Sequence, residues 1–143
     1  MSDILVVAAW LGPNKMFNPS QGKSYVFGIF TVTPQRLTFA ASDGTLPIDV
    51  ARSEATVEWP FWLMGGACRL TTPATTGILS FGRPFPNAPL PEQESVDRAL
   101  ATLEGVHQQP METLRAAIVI PEEEMTDAKM GRVVGAQVKA TLS

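Results

Sequence analysis

The chain has 143 residues, of which 45% are hydrophobic and 17% are charged, a composition typical of one folded domain and not of a disordered segment. The formal charge of −3 and the 11 Lys and Arg residues, spread thinly along the chain, exclude the basic face that a nucleic-acid-binding protein presents. Cys68 is the sole cysteine, so no internal disulfide can form. Its apolar surroundings predict a buried, unreactive thiol.

The amino-terminal segment shows neither a secretion signal nor a membrane span. The apolar run from Ile4 to Leu11 is too short for a membrane helix, which needs about 20 apolar residues. It also lacks the basic start of a signal peptide. We therefore expect a cytoplasmic protein, with the inner face of the membrane as the alternative location.

Short segments of alternating polarity, separated by turn residues, predict a series of β-strands. In chain order the predicted strands are 4–10, 25–33, 36–40, 46–50, 55–59, 67–71 and 78–81. Pro47 cannot donate a hydrogen bond to a β-ladder, so we expect either that the strand at 46–50 lies at an edge of the sheet or that Pro47 faces a bulge. Turn signals every 8–12 residues or so are typical of a sandwich or barrel.

The rest of the chain predicts helices. Four prolines between Arg83 and Pro91 exclude a helix or a central strand there and predict a stiff connector. A helix with an apolar stripe then runs from Glu92 to a glycine cap at Gly105. Pro110 and Pro121 can each start a further helix. An apolar stripe follows in the tail, at Met130, Val133, Val134, Val138 and Leu142.

One hairpin carries a resemblance to a known family. Residues 28–39 read GIFTVTPQRLTF, and Asp43-Gly44 supplies the next tight turn. This pattern resembles the pleckstrin-homology-like superfold, which includes GRAM-type and bacterial PH-like domains. The likeness covers roughly residues 4–105, about two-thirds of the chain.

The resemblance implies an α+β, β-rich fold: a PH-like, partly open antiparallel β-barrel or sandwich of about seven strands with C-terminal helices. Residues 1–105 would form the PH-like domain with its capping helix. Residues 106–143 would be a helical extension packed on that domain or on a partner. The tail stripe is therefore also a candidate seam for a second copy of the chain.

For function, the resemblance implies a non-catalytic binding or adaptor module. Phosphoinositide-binding members carry a basic cluster on the first hairpin, but here only Lys15, Lys23 and Arg36 are available, and they are not closely spaced. These three residues are either contacts for an anionic ligand or scattered solvated charges. The weak basic character favours a protein partner, with peripheral binding to an anionic membrane as the alternative.

An aromatic segment offers a second candidate surface. Phe61, Trp62, Leu63 and Met64 could contact a partner or a membrane interface, where aromatic residues and Met are favoured. Alternatively, Trp59 and Phe61 complete the core and Trp62 caps the barrel. The sequence leaves both interpretations open.

Catalytic and metal-binding patterns are absent from the sequence. His107 is the sole histidine, so no Cys–His set exists, and neither a metal nor a cofactor is expected. We expect no enzyme. A small-ligand carrier or an enzyme using a barrel cavity is the remaining alternative, and it depends on whether Arg36, Glu58, Arg69 and His107 point into one cavity or out to water.

Overall fold

The computed structural model of the chain describes residues 4–13, 24–60, 65–84, 88–89, 92–118 and 127–142. The elements in these ranges are β1 (Leu5–Pro13), β2 (Val26–Val32), β3 (Arg36–Ala41), β4 (Ile48–Ala51), β5 (Thr56–Glu58), β6 (Ala67–Thr71), β7 (Thr76–Ser80), α1 (Gln93–His107), α2 (Met111–Ala117) and α3 (Asp127–Leu142). The predicted α+β, β-rich class, with about seven strands followed by helices, is confirmed.

The seven strands form one antiparallel sheet in the order β4-β3-β2-β1-β7-β6-β5. Strand β1 lies in its middle and pairs with β2 on one side and with β7 on the other. Strands β4 and β5 are the two edges and do not pair with each other. The edge position expected for the strand beside Pro47 is therefore confirmed.

The sheet curls until its two ends face each other. In a flat sheet of this order, β3 and β5 would lie five strand spacings apart, about 24 Å. Leu37 of β3 and Val57 of β5 nevertheless line the same cavity. Because β4 and β5 stay unpaired, the result is an open, curled sheet and not a closed barrel.

The inner face of the curl is covered by α3. Side chains alternate along each strand, which turns Phe30 and Phe39 inward, where both are fully buried. From α3, Val134 and Val138 pack into the same cluster and are also buried. Val133 belongs to the predicted tail stripe but is 44% exposed, because the inward-facing stripe of α3 is narrower than the sequence indicated.

Two glycines allow α3 to approach the sheet closely. Gly131 and Gly135 lie one turn apart and face the backbone at the ends of neighbouring strands. A Cβ at Gly131 would lie 3.1 Å from the nitrogen of Gly82, and a Cβ at Gly135 would lie within 3.0 Å of the carbonyl oxygen of Gly65. No side chain larger than hydrogen fits at Gly135 without a shift of the backbone.

The outer face is covered by α1 and α2. Its buried cluster joins residues of the central strands to the two helices: Val6, Trp10, Tyr25, Phe27, Ile29, Ala40, Ala88, Ala99, Leu100, Leu103 and Leu114. The sheet therefore lies between two helical layers. Helix α1 passes through Gly105 and ends at His107, with Gln108 in the left-handed conformation at φ 52°. The predicted cap at Gly105 is wrong, since that residue is a helical one.

The proline-rich connector is held to the sheet where the structure describes it. The indole Nε1 of Trp10 donates to the carbonyl oxygen of Pro89 at 2.7 Å. The guanidinium of Arg83 donates to the carbonyl oxygen of Ala88 through Nε and Nη2, at 3.1 and 2.9 Å. The predicted helix start at Pro121 lies outside the described residues.

Candidate functional site

A cavity of about 270 Å³ opens where the two ends of the curled sheet face each other. We call it the mouth pocket. Its walls come from β3, the connection between β4 and β5, β5 and the residue after it, and the last turn of α3. The lining residues are Leu37, Arg52, Ala55, Val57, Trp59, Lys139 and Leu142. The pocket exists because the edge strands do not close the barrel.

The apolar part of the mouth pocket follows from strand alternation. Leu37 and Val57 point inward on β3 and β5 and belong to the inner cluster or pack against it. Ala55 adds only a methyl group, which leaves space between them. Leu142 comes from the last turn of α3, so the pocket forms only when α3 is docked on the sheet.

Trp59 forms one wall of the mouth pocket and also contacts the core. Its ring stacks on Phe81 with a centroid separation of 6.1 Å and an interplanar angle of 28°. The ammonium of Lys139 lies 5.9 Å from the centroid of the same ring, within reach of a cation–π attraction. Trp59 is thus fixed between the core and a cation, as the core interpretation of this residue anticipated.

Arg52 holds the pocket walls together. Its guanidinium donates through Nη1 to the carbonyl oxygen of Thr33 at 3.2 Å, and through Nη2 to the carbonyl oxygen of Thr141 at 3.0 Å. The last carbonyls of a helix lack intrahelical partners and attract cations. Arg52 therefore links the connection between β4 and β5 to the carboxyl end of α3.

Of the predicted anionic-ligand residues, the structure places only Arg36, and Arg36 does not line the mouth pocket. Arg36 lies on β3 with its guanidinium donating to both carboxylate oxygens of Asp49. Hydrogen bonding to Asp49 raises the pKa of Arg36. Lys15 and Lys23 lie outside the described residues, so convergence of the three cations stays a prediction.

The predicted aromatic surface also falls outside the described part of the chain. Phe61, Trp62, Leu63 and Met64 are not among the residues that the structure describes. A partner or membrane contact through them stays a prediction.

The four polar residues proposed as a test of a carrier or enzyme cavity do not converge. None of them lines the mouth pocket. Glu58 and Arg69 form an ion pair at 3.8 Å across β5 and β6, near one edge of the sheet. Arg36 lies on β3 near the other edge, and His107 ends α1. The structure therefore divides these residues between two places.

His107 joins a small polar group between α1 and the sheet. Its Nε2 lies 2.9 Å from the hydroxyl oxygen of Thr31. Thr38 pairs with Thr31 across the strands, and its buried hydroxyl has no hydrogen-bond partner among the described residues. Burial, and then repulsion by Arg36, lower the pKa of His107 below its ordinary value of 6.5, against a smaller opposing effect of Asp49.

This lowered pKa predicts a loss of stability in mild acid. The unfolded chain binds a proton at His107 near pH 6.5, whereas the folded protein resists that proton. The free energy of unfolding should therefore fall as the pH drops from about 7 through 6.5 and below. Urea titrations at pH values from 8 to 5 measure the free energy of unfolding. The substitution His107→Gln should remove the part of its pH dependence that His107 causes.

The acidic residues provide an internal control for the pH experiment. The pKa of Asp97 is lowered by its hydrogen bond from Arg115, at 2.6 Å, and that of Asp43 is lowered by Thr45. Their ordinary pKa is 3.8, so their contributions are lost in a separate, more acidic window. An unchanged slope between pH 7 and 5 in His107→Gln would contradict the assignment to His107.

The remaining predictions of chemistry concern Cys68 and metals. Cys68 is 1% exposed, so the predicted burial of its thiol is confirmed, and burial raises the pKa of that thiol to about 12. Within the described ranges, no group of three or more His, Cys, Asp or Glu residues could hold a metal ion. No helix in those same ranges combines the length and apolar character needed to cross a bilayer.

Sequence reasoning missed the pocket because its residues are distant in the chain. The alternation at residues 55–59 indicated that Val57 and Trp59 share a face, and the tail stripe contained Leu142. Lys139, however, comes next to Val138 in the sequence and has the pattern of an ordinary exposed lysine. Nothing local indicates that residues of α3 and β5 meet.

Comparisons of this chain with protein-family models, with curated proteins and with solved structures gave no match.

Proposed function

We propose that this chain is a non-catalytic binding module that takes a small ligand with an apolar part in the mouth pocket. One observation carries the proposal: among the described residues, five apolar side chains and two cations line a cavity of about 270 Å³ at the opening of the sheet. Ligand sites are concave and mostly apolar with a few polar groups, and drug-sized ligands occupy about 300–1,000 Å³. The mouth pocket therefore suits one short chain or ring.

The described surface favours this concave site over a flat protein interface. Its exposed large hydrophobic side chains are Val26 on β2, at 39%, and Val133 on α3, at 44%. Interaction surfaces usually show a contiguous apolar patch, and two single residues on different elements do not form one. Binding of a protein or of an anionic membrane through Phe61–Met64 stays an alternative proposal.

The resemblance of residues 28–39 to the PH-like superfold supports a binding role, since the resemblance implies a module without catalysis. The separation of Arg36, Glu58, Arg69 and His107 counts against a cavity site built by those four residues, so the proposed small-ligand role rests on the mouth pocket alone. A carrier using the curled sheet needs only the pocket. An enzyme would also need positioned reactive groups.

Filling the mouth pocket should weaken ligand binding. The substitution Ala55→Phe places a ring in the space between Leu37 and Val57. The small neutral fluorescent compound 2-naphthol should bind the unmodified protein with a change in emission, and the variant should bind it at least about tenfold more weakly, since displaced apolar contacts contribute roughly 25 cal/mol per Å². Fluorescence titration measures both affinities.

The matched control is Ala101→Phe, which adds the same ring on the exposed side of α1 and should leave the affinity unchanged. Equal affinity in Ala55→Phe and the unmodified protein would show that the probe does not enter the mouth pocket, and would overturn the proposed function.

A further inference from the structure

We infer that the last turn of α3, residues 139–142, is a lid that a bound ligand closes over the mouth pocket, with Arg52 as its latch. The inference rests on the proposed function, because it concerns the regulation of the same site. It requires that this turn contact the pocket, and that its attachment to the sheet be separate from the docking of the rest of α3.

The rest of α3 is docked by contacts that lie before the lid. Val134 and Val138 are buried in the inner cluster. Gly131 and Gly135 bring the helix backbone against the strand ends. After Val138 the next three residues are exposed, and Leu142 is half-buried. The lid can therefore open while the inner aromatic face stays covered, and a turn with so few buried apolar contacts opens at a low cost in free energy.

The lid and the sheet both contribute side chains to the mouth pocket. Among the described residues, Lys139 and Leu142 line the cavity from the lid, and Leu37 and Val57 line it from the strands. A ligand that touches both sets of side chains loses part of its contacts when the lid opens. It therefore binds the closed lid more tightly than the open one, and a difference in affinity of this kind shifts the equilibrium toward the closed state.

Arg52 is placed to hold the lid closed. The last four carbonyls of a helix have no intrahelical partner, and one of them, that of Thr141, accepts a hydrogen bond from Nη2 of Arg52 at 3.0 Å. Through Nη1 the same guanidinium donates to the carbonyl oxygen of Thr33, between β2 and β3, at 3.2 Å. The bond to Thr141 is exposed to water, so its net contribution is small and the lid is poised to open.

Hydrogen exchange of the lid amides, measured by NMR with and without 2-naphthol, tests the inference. These amides donate to carbonyls one turn earlier in the helix, so they exchange when the lid opens. With 2-naphthol at about ten times its Kd, their exchange should slow at least about threefold, and about elevenfold if the compound binds only the closed lid. The last turn of α1, residues 104–107, does not line the pocket and should exchange at an unchanged rate.

A variant of Arg52 tests the latch in the ligand-free protein. Arg52→Met should make the lid amides exchange about fivefold faster, the effect of losing one net hydrogen bond. Arg98→Met is the matched control, because Arg98 lies on α1 and donates to the carbonyl oxygen of Ser42 at 2.7 Å. This control should leave exchange in the lid unchanged. Thermal melts of both variants establish that they fold.

The two proposals fail in different ways. Binding of 2-naphthol with unchanged exchange in the lid, or with equal slowing in the last turns of α1 and α3, would overturn the lid and leave the mouth pocket as a fixed apolar site. Unchanged exchange in the lid of Arg52→Met would overturn the latch. Absence of 2-naphthol binding in the fluorescence titration would overturn the proposed function itself, and the lid with it.

Discussion

Replacing Gly135 by alanine is expected to destabilise the protein, even though alanine is the better helix former by about 1 kcal/mol. The added Cβ would lie within 3.0 Å of the carbonyl oxygen of Gly65, a backbone atom that can move only if the start of β6 or the whole of α3 moves. Overpacking of this kind costs about 1–3 kcal/mol. Urea denaturation should show a lower midpoint.

The control for Gly135 is the same substitution at Gly105, in α1. A Cβ there meets no atom within 4 Å, so Gly105→Ala should gain about 0.5–1 kcal/mol from helix propensity alone. The two variants should thus shift the midpoint in opposite directions. A gain in both would show that α3 does not approach Gly65 as closely as described. Because α3 supplies Lys139 and Leu142 to the mouth pocket, Gly135→Ala should also weaken binding of the neutral probe.

Replacing Trp10 by alanine is expected to cause the largest loss of stability, about 3–5 kcal/mol. The ring is 2% exposed, lies 5.1 Å from the ring centroid of Phe27, and donates a hydrogen bond to Pro89. The variant removes the packing and leaves the Pro89 carbonyl without this donor. The free energy of unfolding of a native domain is only about 5–15 kcal/mol, so the variant would lose a large part of its stability.

Graded substitutions separate the two contributions of Trp10. Trp10→Phe retains most of the packing and loses the hydrogen bond, so it should cost less than Trp10→Ala. Val26→Ala, at a side chain that is 39% exposed, should cost less than about 1 kcal/mol and serves as the control. A cost for Trp10→Ala no greater than that for Val26→Ala would contradict the buried position of the ring.

Local pattern was sufficient to predict the strands. Alternation of period two is a property of neighbouring residues, so the segment at 67–71 was predicted with the bounds that β6 has. The edge position beside Pro47 followed from the missing N–H of one residue. Helix ends were less predictable: Gly105 had the residue type of a cap, but packing of Leu103 and the contact of His107 with Thr31 extend α1 past it.

The curl of the sheet and the mouth pocket could not be predicted in the same way. They depend on contacts among β3, β5 and α3, which lie far apart in the sequence. No short segment of the sequence indicates those contacts. Gly131 and Gly135 illustrate the difference. In the sequence they only weaken a helix, whereas in the structure they are the positions where its backbone approaches the strand ends.

The position of β1 has a consequence for the order of folding. Strand β1 can pair with β2 as soon as both have been synthesised. Its second neighbour, β7, is synthesised only after all the other strands. Contacts between distant parts of a chain form slowly, because loop closure costs entropy before those contacts stabilise anything. On the ribosome, the hairpins from β1 to β4 would therefore form first. The inner aromatic face would stay open to water, and to chaperones, until α3 is made and completes the core.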